Sequence, residues 1–435
     1  MIYNSQNREF AEYIDPAEIE RIKSSSKAKT ILLIILMSML VITTSLLVYL
    51  ANSVYKTTSK LNSMLNVERY EQSSDKESEF NKVLDKLIEI DKYYELFYVG
   101  EIDYEDTALI MGNALIAAYG DKYGAYFDEE YALKQIEKNN SSLYGIGILV
   151  RAEENKQLYV IESYDGPAKR AGIEAGCIIT KVNGEELDLS TNESYNDVIS
   201  KIKGELGTSV EITFINNKGV ENTVEVEREK VTTTSVNYQI IDDSVGYVLI
   251  REFAGNTDEE FEKALKDLKA KGINKVIYDV RGNSGGLLNS VANMIDLILP
   301  KGDTIYIVDA NDKIVETYKS DNQMIEFEET IVLVDKDSAS ASELFTQSLK
   351  EFEIATVIGE TTFGKGTVCS EYELSDNDMI MLSTYKYLTN SKECIEGIGV
   401  KPDIEFVLDE DEANILYKLP VEEDDVIAKA LDVLY

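Results

Sequence analysis

The chain contains no histidine among its 435 residues, which rules out a Ser-His-Asp triad, a Cys-His pair and a histidine-ligated metal site. If it is a hydrolase, its base is something else. Cysteine is nearly as scarce: Cys177, Cys369 and Cys394 are too few and too scattered for a disulfide framework or a zinc site, and allow one bridge at most. Positive charge is also short, with 43 Lys and Arg against 80 Asp and Glu, a formal charge of −37. That balance argues against a nucleic-acid partner, because phosphate backbones need Lys and Arg clusters, and its plain meaning is solubility. No cofactor and no metal are expected.

What the chain has is length and apolar pattern. Its 435 residues exceed what one core usually holds, so several domains are expected, and a hydrophobic content of 44% suits a folded protein. Residues 31–54 (ILLIILMSMLVITTSLLVYLANSV) carry no charge; at about 1.5 Å per residue they reach roughly 36 Å, enough for a hydrocarbon core of ~30 Å. The run reads as a transmembrane helix. A cleaved signal peptide is the rival, weakened by the long leader before the run and by the poor cleavage context Ala51-Asn52-Ser53. Arg21, Lys23, Lys27 and Lys29 crowd the N-terminal flank, which puts residues 1–30 in the cytoplasm and everything after Lys56 outside.

Residues 55–140 read as a helical, acidic stalk or cap, with Val83, Leu84, Leu87, Ile88 and Ile90 recurring near a 3.6 period. Two glycines within ALIAAYGDKYGAYF, residues 114–127, mark a turn after an apolar helix, and the aromatics there read as packing. Over residues 141–230 the texture turns to β: LYGIGILV, QLYVIESY, CIITKVNG, SVEITFIN and ENTVEVERE form short strands around one helical segment, SYNDVISKIKGELG. Short strands, one central helix and turn glycines describe a small, partly open barrel. That order, with the YGIGI loop and the AGIEAGCIITKVNG segment, resembles a PDZ domain of the kind found inside bacterial proteases. The resemblance implies that Gly145, Ile146 and Gly147 hold a peptide's C-terminal carboxylate on their N–H groups while the peptide adds as a strand beside Ile148. Glycine suits this role because no Cβ blocks an anion's approach, although a Gly-x-Gly at a strand start also serves as an ordinary turn.

From residue 231 the pattern becomes α/β. Val245–Ile250 is an apolar strand, Thr257 and Glu260 read as a capping box, and Phe261, Leu265 and Leu268 share one helix face. Lys275–Val280 is a buried-type strand, so strand, crossover helix and strand imply a parallel pair. The glycine loop RGNSGG that follows sits at a strand's carboxyl end, where α/β proteins build sites; as a phosphate cradle it lacks the lysine and the complete fingerprint. A second unit repeats the arrangement, with SASASELF leading from strand Thr330–Asp335 into a helix. Ser340 with Glu343 satisfies a capping box, and the same geometry would let the Ala341 N–H hold an oxyanion formed when Ser340 attacks a carbonyl. Lys365, between Gly364 and Gly366, is either a solvated turn lysine or a neutral amine that takes the Ser340 proton.

The combination decides between these readings. SASASELF, FGKGTV with its lysine 25 positions beyond Ser340, RGNSGG upstream, a PDZ-like domain before both and EGIGVKPD downstream resemble the carboxyl-terminal processing peptidases, or tail-specific proteases. The resemblance implies Ser340 as nucleophile, Lys365 as general base, and Ala341 with Gly285 and Gly286 as oxyanion-hole donors. It further implies a membrane-anchored endopeptidase acting on exported protein substrates with free C-termini, and leaves homo-oligomer formation open. The expected fold is an α/β protease core with a parallel-rich sheet and crossover helices over 231–420, a small β-rich PDZ domain, a helical N-terminal region, one transmembrane helix and a C-terminal helix over 421–435. One position departs: relatives commonly carry glutamine four residues after the lysine, orienting its amine, and here that residue is Cys369. Cys177 also stands where relatives often have aspartate, a change read as packing. Against the peptidase stands a second class, a catalytically impaired PDZ-containing receptor or scaffold.

Overall fold

The computed structural model describes residues 74–435, apart from 140, 153–156, 322 and positions 410, 411, 413, 414, 416 and 417. The expected cytoplasmic tail and the apolar run at 31–54 lie outside the described residues, among which no helix is long and apolar enough to cross a membrane. Two compact units divide between Ile102 and Asp103. In the first, helix Ser74–Phe97 shows Val83, Leu84, Leu87 and Ile88 at helical spacing, all exposed.

The second unit is built on a six-stranded sheet in the spatial order Val236–Ile241, Val245–Ile250, Lys275–Asp279, Glu329–Val334, Thr356–Gly359 and Ile404–Glu405. Its first pair is antiparallel and the rest are parallel, as the strand-helix-strand pattern predicts. Side chains alternate across it. Val248, Val276, Tyr278, Val332 and Val334 pack under helices Thr257–Ala270, Leu288–Asp296 and Ala341–Glu351 through Phe261, Leu265, Val291, Ile295 and Phe345. Tyr247, Ile277, Ile331 and Leu333 face the opposite way, onto Val426, Ile427, Ala430 and Leu434 of helix Asp425–Leu434. Covering both faces is what makes continuous apolar strands stable in a parallel sheet. The capping box expected at Thr257 is not formed. Asn256 is the N-cap, the Thr257 hydroxyl accepts from the Ala254 N–H, and Glu260 turns away to accept from the amides of Ser235 and Val236.

A second sheet centres on Met379–Leu388, which pairs with Ala125–Phe127, Thr367–Glu373 and Gly302–Val308; the last also pairs with Ile314–Ser320. The segment from Asp103, expected as part of a stalk, therefore contributes a strand to the second unit, flanked by helices Tyr104–Ala118 and Glu129–Asn139.

The PDZ region begins and ends on one antiparallel ladder, Ser142–Gly145 with Glu229–Thr232. Between them runs a sheet in the order Ile148–Ala152, Leu158–Ser163, Ile178–Val182, Ser209–Ile215 and Glu221–Glu227, with helix Asn192–Ile202 capped by Thr191. Cys177 lies in its core beside Ile146, Leu158 and Ile212, a packing position. All three cysteines are unpaired.

Candidate active site

The carboxyl ends of the adjacent strands Lys275–Asp279 and Glu329–Val334 carry two turns that are stitched together. The Asp335 carboxylate accepts the Gly282 N–H, and the Asn283 carbonyl accepts both the Ala339 N–H and the Ser342 hydroxyl. Below them the buried Arg281 side chain bridges Asp279 and Asp424, which fixes the glycine loop to the C-terminal helix. A buried pair of this kind holds geometry at a desolvation cost and is destabilising when one partner is removed.

Three serines in SASAS are candidates by sequence, and burial separates them. Ser338 donates to the Val280 carbonyl and Ser342 to the Asn283 carbonyl; both are fully buried. Ser340 is partly exposed at the start of helix Ala341–Glu351, with φ 57° and ψ −114°. A non-glycine residue there is strained, and such strain persists only where the surroundings over-determine it. The strained turn lifts Ser340 into a cleft of about 310 Å³, whose lining also includes Ala341, Gly285, Gly286, Lys365 and Cys369. Residues of the segment before the PDZ region reach the same cleft: Gln135 and Asn139, on helix Glu129–Asn139, line it as well. Sequence reasoning missed both, because nothing local marks a helix residue as cleft-lining.

Glu343 is the residue whose role sequence reasoning understated. As in the expected capping box it accepts the Ser340 N–H, at 2.7 Å, yet it is fully buried and also accepts from Thr362 Oγ1 (2.6 Å), the Gly364 N–H (2.6 Å) and the Lys365 N–H (2.8 Å). From the other side the buried Tyr387 hydroxyl lies against the carbonyl oxygens of Ser340, at 3.1 Å, and Lys365. Backbone at both positions is thus fixed by the same two side chains. Burial, with Glu343 nearby, holds the Tyr387 phenol well above its usual range, so it stays a neutral donor.

The expected oxyanion donors divide. The Gly285 N–H is donated to Asn283 Oδ1 at 2.8 Å, so it is already engaged, a correction to its reading as a hole donor. Its lack of a side chain matters instead: a Cβ there would stand 2.8 Å from Ser340 Cβ. Among the described residues no hydrogen bond occupies the Gly286 or Ala341 amide, and both residues line the cleft. Gly286, at φ 148°, has no room for a Cβ, which would fall 2.2 Å from the Phe253 carbonyl oxygen. Cys369 lies along the cleft on strand Thr367–Glu373, with Ser383 Oγ as its polar neighbour at 3.9 Å. No hydrogen bond joins it to Lys365 among the described residues.

In the PDZ region, Gly145 (φ 155°) and Gly147 (φ 82°) take conformations that side chains avoid, and Ile146 between them is buried. The Ile146 carbonyl accepts from Ala168 and that of Gly147 from Tyr164. Ile148 opens the strand Ile148–Ala152, which among the described residues pairs on one side, with Leu158–Ser163, and stands at the edge of its sheet.

A parallel sheet with a strained serine and a glycine loop at its carboxyl edge, joined to a PDZ sheet, defines the class of PDZ-bearing serine peptidases. The chain belongs to peptidase family S41. The profile of peptidase family S41 matches residues 244–406, and that of the PDZ domain matches 162–216, which leaves the loop at Gly145–Ile148 outside the matched span. Similar curated proteins include the carboxy-terminal processing protease CtpB of Bacillus subtilis, 33% identical over 338 residues, 75% of this chain and 68% of that one. CtpA of the same organism is 32% identical over 303 residues, 69% of this chain and 64% of that one, so the chain spans about two thirds of these relatives' length. A solved S41-class structure from Bacteroides fragilis, 15% identical, shares the fold at a TM-score of 0.52, covering 78% of this chain and 92% of that one.

Proposed function

We propose that this chain is a membrane-anchored serine endopeptidase of the carboxyl-terminal processing type, with Ser340 as nucleophile and Lys365 as general base. The single observation that carries the reading is the strained Ser340 sharing a cleft and a common Glu343 bracket with Lys365. The Lys365 amine takes the Oγ proton as Oγ bonds to the acyl carbon, and the carbonyl oxygen, now anionic, meets the N–H groups of Ala341 and Gly286. The ammonium then gives its proton to the leaving amine nitrogen. Water attacks the acyl-enzyme by the same proton route in reverse, freeing Ser340.

The PDZ edge strand at Ile148–Ala152, with glycines at 145 and 147 before it, supports recruitment of exported proteins through their free C-terminal tails. The uncharged run at 31–54 with its basic flank supports a single anchor, N-terminus inside, both domains outside. Protease added to intact cells should then digest the chain beyond Lys56 and spare residues 1–30; the reverse pattern overturns the orientation.

The function is tested with an unstructured reporter protein ending in an apolar, free C-terminus. Wild type should cleave it, while Ser340→Ala and Lys365→Ala should not, and the serine variant should trap it. Cleavage by Ser340→Ala sinks the assignment, and tail binding with no cleavage by wild type leaves a receptor or scaffold.

A further inference from the structure

A lysine amine rides on a flexible four-carbon stem, yet a general base must stay within hydrogen-bond reach of the proton it takes. Cys369, in the place where the resemblance puts an orienting glutamine, offers the amine no hydrogen bond. Another side chain meets it. The ring of Tyr123 presents its face to Lys365 Nζ, 4.7 Å from the ring centroid, within the ~6 Å over which an aromatic face attracts a cation.

Tyr123 is fixed at both ends. At its backbone, Asp121 Oδ1 accepts the N–H groups of Tyr123 and Gly124, at 3.1 and 3.0 Å, while the same carboxylate accepts the Ser383 N–H and hydroxyl at 2.9 and 2.7 Å. At its tip, the hydroxyl donates to Glu396 Oε1 at 2.9 Å, and Glu396 Oε2 accepts the Gly366 N–H at 2.8 Å. Ring and lysine loop therefore hang on one carboxylate. Burial, helped by Glu396, pushes the Tyr123 phenol up to about 12, so the hydroxyl remains a donor wherever the protein works.

We infer that Tyr123 is the positioning residue for the Lys365 amine, its face receiving the ammonium that forms as Lys365 takes the Ser340 proton. The inference rests on the Ser340-Lys365 reading above. The attraction strengthens as charge builds on Nζ, so the ring holds the amine more firmly once it has taken the proton than before. Tyr123 acts through Lys365 and is not among the residues that line the cleft.

The test is the rate at which a fluorophosphonate phosphonylates Ser340 in the detergent-solubilised full chain, with kinact separated from KI. Ser340 Oγ bonds to phosphorus, fluoride leaves, and the hydroxyl proton passes to Lys365. If Lys365→Ala reacts as fast as wild type, the dyad itself falls, whatever Tyr123 does. With the dyad standing, Tyr123→Leu should lower kinact roughly 3- to 30-fold with KI little changed, whereas Tyr123→Phe, which keeps the ring face, should stay within about 3-fold of wild type. Replacing Tyr123 by 3,4,5-trifluorophenylalanine keeps the shape and weakens the face, and should react more slowly than Tyr123→Phe. A folded Tyr123→Leu at wild-type kinact overturns the proposal. Should the leucine variant not fold, equal rates for the phenylalanine and trifluorophenylalanine variants overturn it as well.

Discussion

The amide N–H groups of Ser340 and Lys365 end on one oxygen atom, Glu343 Oε2, at 2.7 and 2.8 Å. The other oxygen accepts from Thr362 and Gly364, so the carboxylate is surrounded by donors. An amide in its place must turn its NH₂ toward one pair of them. Glu343→Gln is therefore expected to lose about 3 kcal/mol of stability, the scale for buried donors left unpaired around a charged acceptor, and to cut fluorophosphonate labelling at least about 10-fold. Chemical denaturation and labelling check both; a variant as stable and reactive as wild type would falsify the bracket.

Strain at Ser340 gives a prediction of opposite sign. Glycine adopts φ 57°, ψ −114° without a Cβ penalty, although it gives back some of the gain through its freer unfolded state. Ser340→Gly should be inactive yet about 1 kcal/mol more stable than Ser340→Ala. Equal denaturation midpoints would mean that the turn stores no strain.

Much of this was legible in the sequence because it is local. The parallel strands follow from short continuous apolar runs, the PDZ strands from short β runs between turn glycines and the helix that opens at Ala341 from its capping serine, while the pairing of Ser340 with Lys365 comes from the resemblance of the combined motifs to a known family. What escaped is whatever depends on distant partners. Glu343 reads as a cap because Thr362, Gly364 and Lys365 lie 19 to 22 residues away. Tyr123 reads as packing because Glu396 is 273 residues off. The segment at 125–127 reads as part of a stalk because its strand partner begins at Met379. No periodicity encodes such pairings. The Gly285 N–H escaped for a subtler reason, since only the fold reveals that Asn283 Oδ1 already accepts it.

Cys369 is expected to be a bystander thiol. Cys369→Ser should label within about 3-fold of wild type, and Cys369→Gln at least as fast, since a carbonyl oxygen holds an amine better than sulfur does. Alkylating Cys369 should slow labelling by adding bulk beside the base. If both substitutions silence the protein while Ser340→Ala stays active, the nucleophile is the thiol.

Tail recognition is expected to depend on the carboxylate charge. Peptides with free apolar C-termini should bind, and their amides should bind at least about 10-fold more weakly, a loss of ~1.4 kcal/mol. Gly147→Val, forced into φ 82°, should weaken the free peptides to the same extent while fluorophosphonate labelling persists. Equal titration curves for acid and amide would remove the recruitment role.

Ser340 and Lys365, the proposed nucleophile and base, are borne by different sheets: Ser340 follows strand Glu329–Val334, and Lys365 runs into strand Thr367–Glu373, which pairs with Met379–Leu388. The dyad is therefore a vernier, reading true only while two separately built surfaces hold their alignment. A slip of about 1 Å between such parts can cost ~100-fold in rate. An inhibitor of this protein need not enter the cleft at all; a wedge at the seam between the sheets would silence it with both residues chemically intact.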